Sequence, residues 1–245
     1  MRNVALTIDV EQDVPPYLNT WRGMEKGLPL LLELLTKHDI RATFFVTGRV
    51  AGRYPRLVKQ ISRQHEVACH GYEHERFDRL GPGKQLQRIE LATKILTKVV
   101  GQRPLGFRAP NFKMNAETFE AIERAGYVYD ASVASYKMGR KPRWSELVEI
   151  PNTWPSSFLR LPPVISTRVL RLCMAALPLT VLDYHVWEVV EVKGVPFDCR
   201  FATGEVALRR LDEVLRYLLE KKCKFVLMRD VVKKGLLTAC NRELD

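Results

Sequence analysis

The sequence predicts an α/β domain built on a parallel sheet with helical crossovers. Three observations carry that expectation. Short apolar runs alternate with amphipathic helical stretches. The chain has 245 residues, 46% of them hydrophobic, which is enough for one sizeable core. The polar residues suited to chemistry fall at the ends of apolar runs, where parallel sheets collect function.

The elements follow in order. NVALTID (3–9) reads as a strand, and MEKGLPLLLELLTKHD (24–39) as a helix with Pro29 tolerable only near its first turn. RATFFVT (41–47) is a strand, YPRLVKQISRQH (54–65) a helix, and EVACH (66–70) a strand ending at a histidine. GKQLQRIELATKILTKVV (83–100) is a helix, followed by the strand PLGFRAP (104–110). NAETFEAIERAG (115–126) is a helix with Asn115 as N-cap and Gly126 as C-terminal stop. YVYDASV (127–133) is the fifth strand. Residues 134–180 are irregular and rich in Pro and Trp, with a helix-like TRVLRLCMAAL inside them. Regularity returns with the strand LTVLDYHVWE, the helix GEVALRRLDEVLRYLLEKK (204–222) and the strand KFVLMRDVV (224–232). No linker, repeat or composition shift interrupts residues 1–245, so a single domain is expected.

Composition narrows the class. The net charge is +11, but the Lys and Arg residues are scattered, so no nucleic-acid partner is expected. A basic surface still favours anionic substrates or peripheral contact with a membrane. The five cysteines, at 69, 173, 199, 223 and 240, form no C-x-x-C pair, which argues against a disulfide framework and fits a reducing compartment. The N-terminus meets acidic residues by position 9, unlike a signal peptide, and LCMAALPLTVL (172–182) is too short to span a bilayer. A cytoplasmic protein, open to membrane association, is the expectation. No interface is legible, so the oligomeric state stays open.

Four strand ends carry candidate site residues. Asp9, Glu11 and Asp13 share one side of an extended strand by alternation. His70 and His74, in HGYEH, have the spacing that brings two side chains to one face of a helical turn. FRAPN puts Arg108 and Asn111 at a rim, and LDYHVWE puts His185 beside Trp187. Two histidines and a carboxylate make a three-ligand site that leaves a position open for water. A second carboxylate can serve as base and a third histidine as acid, a set suited to hydrolysis of an amide or ester. His38 and His65 lie near helix ends and read as structural.

With those residues in view, the chain resembles the polysaccharide deacetylases with the NodB-type domain, carbohydrate esterase family four. TIDVEQD resembles a variant of the first motif, EVACHGYEH the H-G-Y-x-H form of the second, and GQRPLGFRAPNF the third. GYVYDAS, LDYHVWE and KFVLMRDVV resemble later stretches. The resemblance implies a distorted, incomplete (β/α) TIM-like barrel of about seven parallel strands. It implies removal of N-acetyl or related acyl groups from an amino sugar or polysaccharide with a divalent metal. Zinc is the default, and cobalt, nickel, manganese or iron also suit the ligands. By position, Asp9 would be the base, Arg108 its ion-pair partner and His185 the general acid, with Asp130 as a support for His185 or a strand cap. His70 and His74 would hold the metal with Glu11, or with Asp13 as the fallback. Tyr72, Pro110, Asn111, Leu182 and Trp187 would contact substrate, Leu182 beside the acetyl methyl. The sequence departs from the wider family in having Val10, Gly71 and Val186 where an Asp, a Ser or Thr, and a Pro are usual. Two alternatives stand beside this reading: a cyclic-amide hydrolase or lipid-linked-sugar deacylase of the same fold, and a non-catalytic relative that binds carbohydrate.

Overall fold

A computed structural model describes residues 2–135, 142 and 145–236. Among them, eight strands pair, every pairing parallel. They are β1 (Asn3–Val10), β2 (Thr43–Val46), β3 (Glu66–Cys69), β4 (Gly106–Phe107), β5 (Tyr129–Asp130), β6 (Val148–Glu149), β7 (Leu179–His185) and β8 (Lys224–Phe225). Seven run in the order β6-β5-β4-β3-β2-β1-β7, and β8 pairs with the first residues of β1. The sheet curls until its ends approach. Beyond β6, the Thr153 N–H donates to the Val181 carbonyl at 3.1 Å, and the Val181 N–H donates to Thr153 Oγ1 at 2.9 Å. Those bonds bridge the seam of an incomplete barrel.

Helices cover the outside: α1 (Leu28–Lys37), α2 (Gly48–Arg53), α3 (Pro55–Ile61), α4 (Pro82–Val100), α5 (Ala116–Arg124), α6 (Pro163–Ala176), α7 (Phe197–Arg200), α8 (Glu205–Glu220) and α9 (Met228–Lys233). Pro29 sits in the first turn of α1, where a missing N–H costs nothing. Asn115 caps α5: its side chain accepts the Thr118 N–H, and the Thr118 hydroxyl accepts the Asn115 N–H, both at 3.1 Å. Gly126 follows with φ +75°, a conformation that favours glycine.

Alternation along β1 sorts the core. Val4, Leu6, Ile8 and Val10 pack outward with Leu31, Leu35, Leu211 and Leu215. Ala5 packs inward with Phe45, Ala68, Tyr129 and Val181. Gly106 must lack a side chain, because a Cβ there would lie 1.8 Å from the Tyr129 ring. That ring is held in place by a 2.9 Å bond from its hydroxyl to buried Glu66.

Several expected elements change. The strand expected at 224–232 lasts two residues and then turns into α9, whose Met228 and Val231 plug the barrel floor beside Val226. The strands expected at 104–110 and 127–133 shorten to the pairs that reach a neighbour. The helix expected at 54–65 starts at Pro55 and ends at Ile61, and α2 precedes it without having been expected. The irregular middle supplies β6 and α6. Cys69, Cys173, Cys199 and Cys223 are free thiols, and Cys240 lies outside the described residues. Among the described residues no helix is long and apolar enough to cross a membrane.

Candidate active site

A cavity of about 630 Å³ opens at the C-terminal ends of β1, β3 and β7. Strand alternation aims Asp9 and, one step past the strand, Glu11 into it. His70 follows the last residue of β3, and its Nδ1 lies 2.8 Å from the Arg108 carbonyl. A carbonyl only accepts, so Nδ1 carries a proton and Nε2 is the nitrogen turned to the cavity. His74 comes close by a tight loop rather than the helical turn suggested by its spacing. Gly71 and His74 have φ of +71° and +68°, and the loop between is braced by Glu75 accepting the Tyr72 N–H at 3.0 Å.

Glu11 Oε2 lies 2.8 Å from His74 Nε2 and 3.3 Å from His70 Nε2. Ligand atoms of the three residues all lie within 4.8 Å of one another. That oxygen is buried yet has no hydrogen bond of good geometry, while Oε1 accepts the Trp187 indole N–H at 3.1 Å. Burial alone would raise the Glu11 carboxyl, but the His74 and His70 imidazoles outweigh it and hold it well below the usual range. The donor set, two imidazoles and one carboxylate, suits a borderline divalent cation such as zinc.

Beside this trio, Arg108 Nη1 donates to Asp9 Oδ1 at 2.8 Å and to Asp183 Oδ1 at 2.9 Å. The guanidinium is fully buried, its carbon 4.1 Å from the centre of the Phe45 ring. Asp9 Oδ2 is left between two imidazoles, 3.5 Å from His70 Nε2 and 3.9 Å from His185 Nε2. Burial and the neighbouring Asp9 charge push Asp183 up to about 7. His185 stacks on Trp187 with ring centres 4.8 Å apart, and its Nδ1 meets Glu188 Oε1 at 2.8 Å. Burial would lower its pKa, but Glu188 and then Asp183 carry it up to about 10.

The structure thus brings together Asp9, Glu11, His70, His74, Arg108, His185 and Trp187. Asn111 also lines the cavity, from a turn in which its φ is +57°. Four expected positions fall elsewhere. Asp13 spends both oxygens on the loop ahead of α1, accepting the Gly23 and Arg22 N–H groups and the Thr20 hydroxyl at 2.7–2.8 Å. Tyr72 packs its ring against Gly48 under the Arg88 guanidinium, outside the cavity. Pro110 is buried beneath the rim. Leu182 faces the helices, fully buried with Leu6 and Tyr184, because it is three residues from His185 and so on the other side of β7. The residue that shares the His185 face is Asp183. Asp183 was legible from that alternation and Glu188 from its three-residue spacing to His185, although the sequence reading took neither. Arg160 had no local signal. Asp130 supports Ser132 rather than His185, accepting its N–H at 2.9 Å and its hydroxyl at 2.7 Å. His38 meets Asp212 at 2.6 Å, far from the cavity.

Comparison with known proteins bears on the family and the fold. A family model for polysaccharide deacetylases matches residues 2–129. A peptidoglycan deacetylase-like protein of Gibberella zeae is 28% identical over 157 residues, which cover 52% of this chain and 46% of the relative. The chain spans about half the length, or less, of the curated relatives it matches first. Among solved structures, a family 4 carbohydrate esterase from Streptomyces lividans in complex with acetate aligns with TM-score 0.62 at 17% identity, covering 91% of each chain. A CE4 family pseudoenzyme from Bacillus anthracis aligns with TM-score 0.64 at 19% identity, covering 94% of this chain and 65% of its own. At such identities these structures speak for the fold.

Proposed function

Because the chain belongs to the polysaccharide deacetylase family, we propose that it hydrolyses the amide of an N-acylated amino sugar, with acetyl as the reference acyl group. The observation that carries this reading is the placement of Asp9. One of its oxygens is clamped by Arg108, and the other faces both a ligand-set histidine and His185. Glu11, His70 and His74 would hold a divalent cation, zinc by default. When bound, such a cation polarises a carbonyl and lowers the pKa of water toward about 7. Asp9 Oδ2 accepts a proton from the attacking water as its oxygen bonds to the acyl carbon. His185 Nε2 gives a proton to the nitrogen as the C–N bond breaks, so acid and free amine leave. Arg108 fixes the base and offsets the charge of Asp9 and Asp183 together. Trp187 and Asn111 shape the walls against which a sugar ring rests.

The test is release of acetate from N-acetylglucosamine oligomers, with activity abolished by a chelator and by His70→Ala. Undiminished turnover by chelated protein would refute the metal-assisted reading. A second reading concerns where the substrate resides. The outward face of α6 exposes Val164, Ile165 and Leu172 beside Arg168 and Arg171, which suits an anionic lipid surface. Co-sedimentation with vesicles containing phosphatidylserine, absent with neutral vesicles, would support it.

A further inference from the structure

His185 is the last residue of β7, and its ring is held from behind. Glu188 Oε1 accepts the His185 backbone N–H at 3.1 Å and contacts Nδ1 at 2.8 Å, closing a small ring three residues long. Glu188 is fully buried, and its other oxygen meets Arg160 Nε at 2.5 Å. Arg160 is itself 1% exposed and donates to the carbonyls of Asp198, Cys199 and Phe201 at the cavity rim. A carboxylate only accepts, so this contact puts the proton on Nδ1 and leaves Nε2 as the nitrogen turned to Asp9.

We propose that Glu188, locked by Arg160, is the positioning residue of His185, holding the Nδ1 proton so that the Nε2 proton is the one aimed across the cavity at the leaving nitrogen. The proposal rests on the deacylase reading for its kinetic consequence, but the geometry of the ring stands without it. Among the described residues, the charged groups set around His185 come from several elements. Asp9 comes from β1 and Glu11 from just past it, Asp183 from its own strand, Glu188 from the turn after it and Arg160 from the 156–160 turn, Arg108 lies behind Asp9, and Arg76, Arg79, Lys113 and Asp198 line the same cavity. Of these acids, Glu188 alone touches Nδ1. Arg160 also ties the rim at 198–201 to the same carboxylate, so ring orientation and cavity wall share one anchor.

The experiment compares the metal-loaded wild type with Glu188→Gln, Glu188→Asp and the double variant Glu188→Gln/Arg160→Met. The double variant removes the buried positive charge that Gln would strand. Nitrogen-15 NMR of the His185 ring in metal-free protein reports the tautomer without any assay. The expected result is a kcat loss of about 10²- to 10⁴-fold in Glu188→Gln, with KM and metal content within about twofold. The alkaline limb of the rate profile should move to lower pH, Glu188→Asp should recover part of the loss, and the double variant should lose as much as Glu188→Gln. On the alkaline side of the ring's titration, the Nδ1-protonated signal of the wild type should give way to a mixture of tautomers in both Gln-containing proteins. An unchanged kcat or an unchanged tautomer in the folded variants overturns the proposal. If the wild type releases no acyl group, the deacylase reading fails, and the NMR comparison still decides the role of Glu188.

Discussion

Trp187 donates its indole N–H to Glu11 Oε1 at 3.1 Å, reaching from a turn 176 residues away in the sequence. The bond fixes the carboxylate so that Oε2 faces both histidines. Partners of this kind orient a metal-ligating group and tune how tightly it holds the metal. Trp187→Phe should weaken divalent-metal affinity about 10- to 100-fold, with kcat at saturating metal much less affected. Competition with a chelating dye measures the affinity, and an unchanged value would leave the indole with a packing role only.

Arg108 is shared by two buried carboxylates, and among the described residues no other guanidinium or ammonium group forms an ion pair with either. Arg108→Met should cost about 3–5 kcal/mol of stability by removing the guanidinium that Asp9 and Asp183 share in the core. It should also reduce turnover by at least about 10²-fold, since the base loses its clamp. Urea unfolding and acetate release on the same preparation separate the two effects.

Leu182 and Asp183 give a paired test of strand alternation. Leu182→Ala should destabilise by about 2–5 kcal/mol and leave KM within about twofold, because the side chain packs under helices. Asp183→Asn should leave stability closer to wild type and change kcat/KM severalfold, because Asp183 lines the cavity and shares Arg108 with the base. The reverse pattern would put Leu182 back in the substrate site.

His65, at the floor end of the sheet, supplies a pH dependence separate from the active site. It is buried, its Nδ1 accepts the Ala42 N–H at 3.3 Å, and burial together with Arg41 depresses it to about 4. In the unfolded chain it titrates near about 6.5. Between those values the unfolded chain holds a proton that the folded chain lacks. Stability therefore falls as pH drops from about 6.5 to about 4 and levels off below. The loss should be roughly 1–2 kcal/mol, and urea midpoints of His65→Phe should fall less than those of wild type over the same range.

Much of the fold was legible because apolar periodicity is a local signal. The strands ending at Asp9, His70 and His185 stand where their apolar runs place them, and Asn115 and Gly126 bound α5 by cap chemistry alone. The parts that were not legible depend on distant partners. VLM at 226–228 has the composition of a strand, yet it becomes the lead into α9 because the barrel floor offers a hole and no free strand edge. Among the site residues, those at strand ends were readable, while Arg160 was invisible because its partners are backbone carbonyls about forty residues away. Leu182 was misplaced because a motif match ignores the side of the strand that a residue faces.

The pairing of β1 with β7 sets Asp9 and His185 opposite each other as register partners. During synthesis the chain carries Asp9, Glu11, His70, His74 and Arg108 well before it carries Asp183, His185 and Glu188. A nascent polypeptide thus carries Glu11, His70 and His74 before it has made the strand that pairs with β1 along its other edge. His185 arrives later, with one strand, and a one-residue slip of that strand would turn it into the helices and bring Leu182 and Tyr184 in its place. The register of β7 on β1 is therefore what sets the His185 imidazole, and not Leu182 or Tyr184, opposite Asp9.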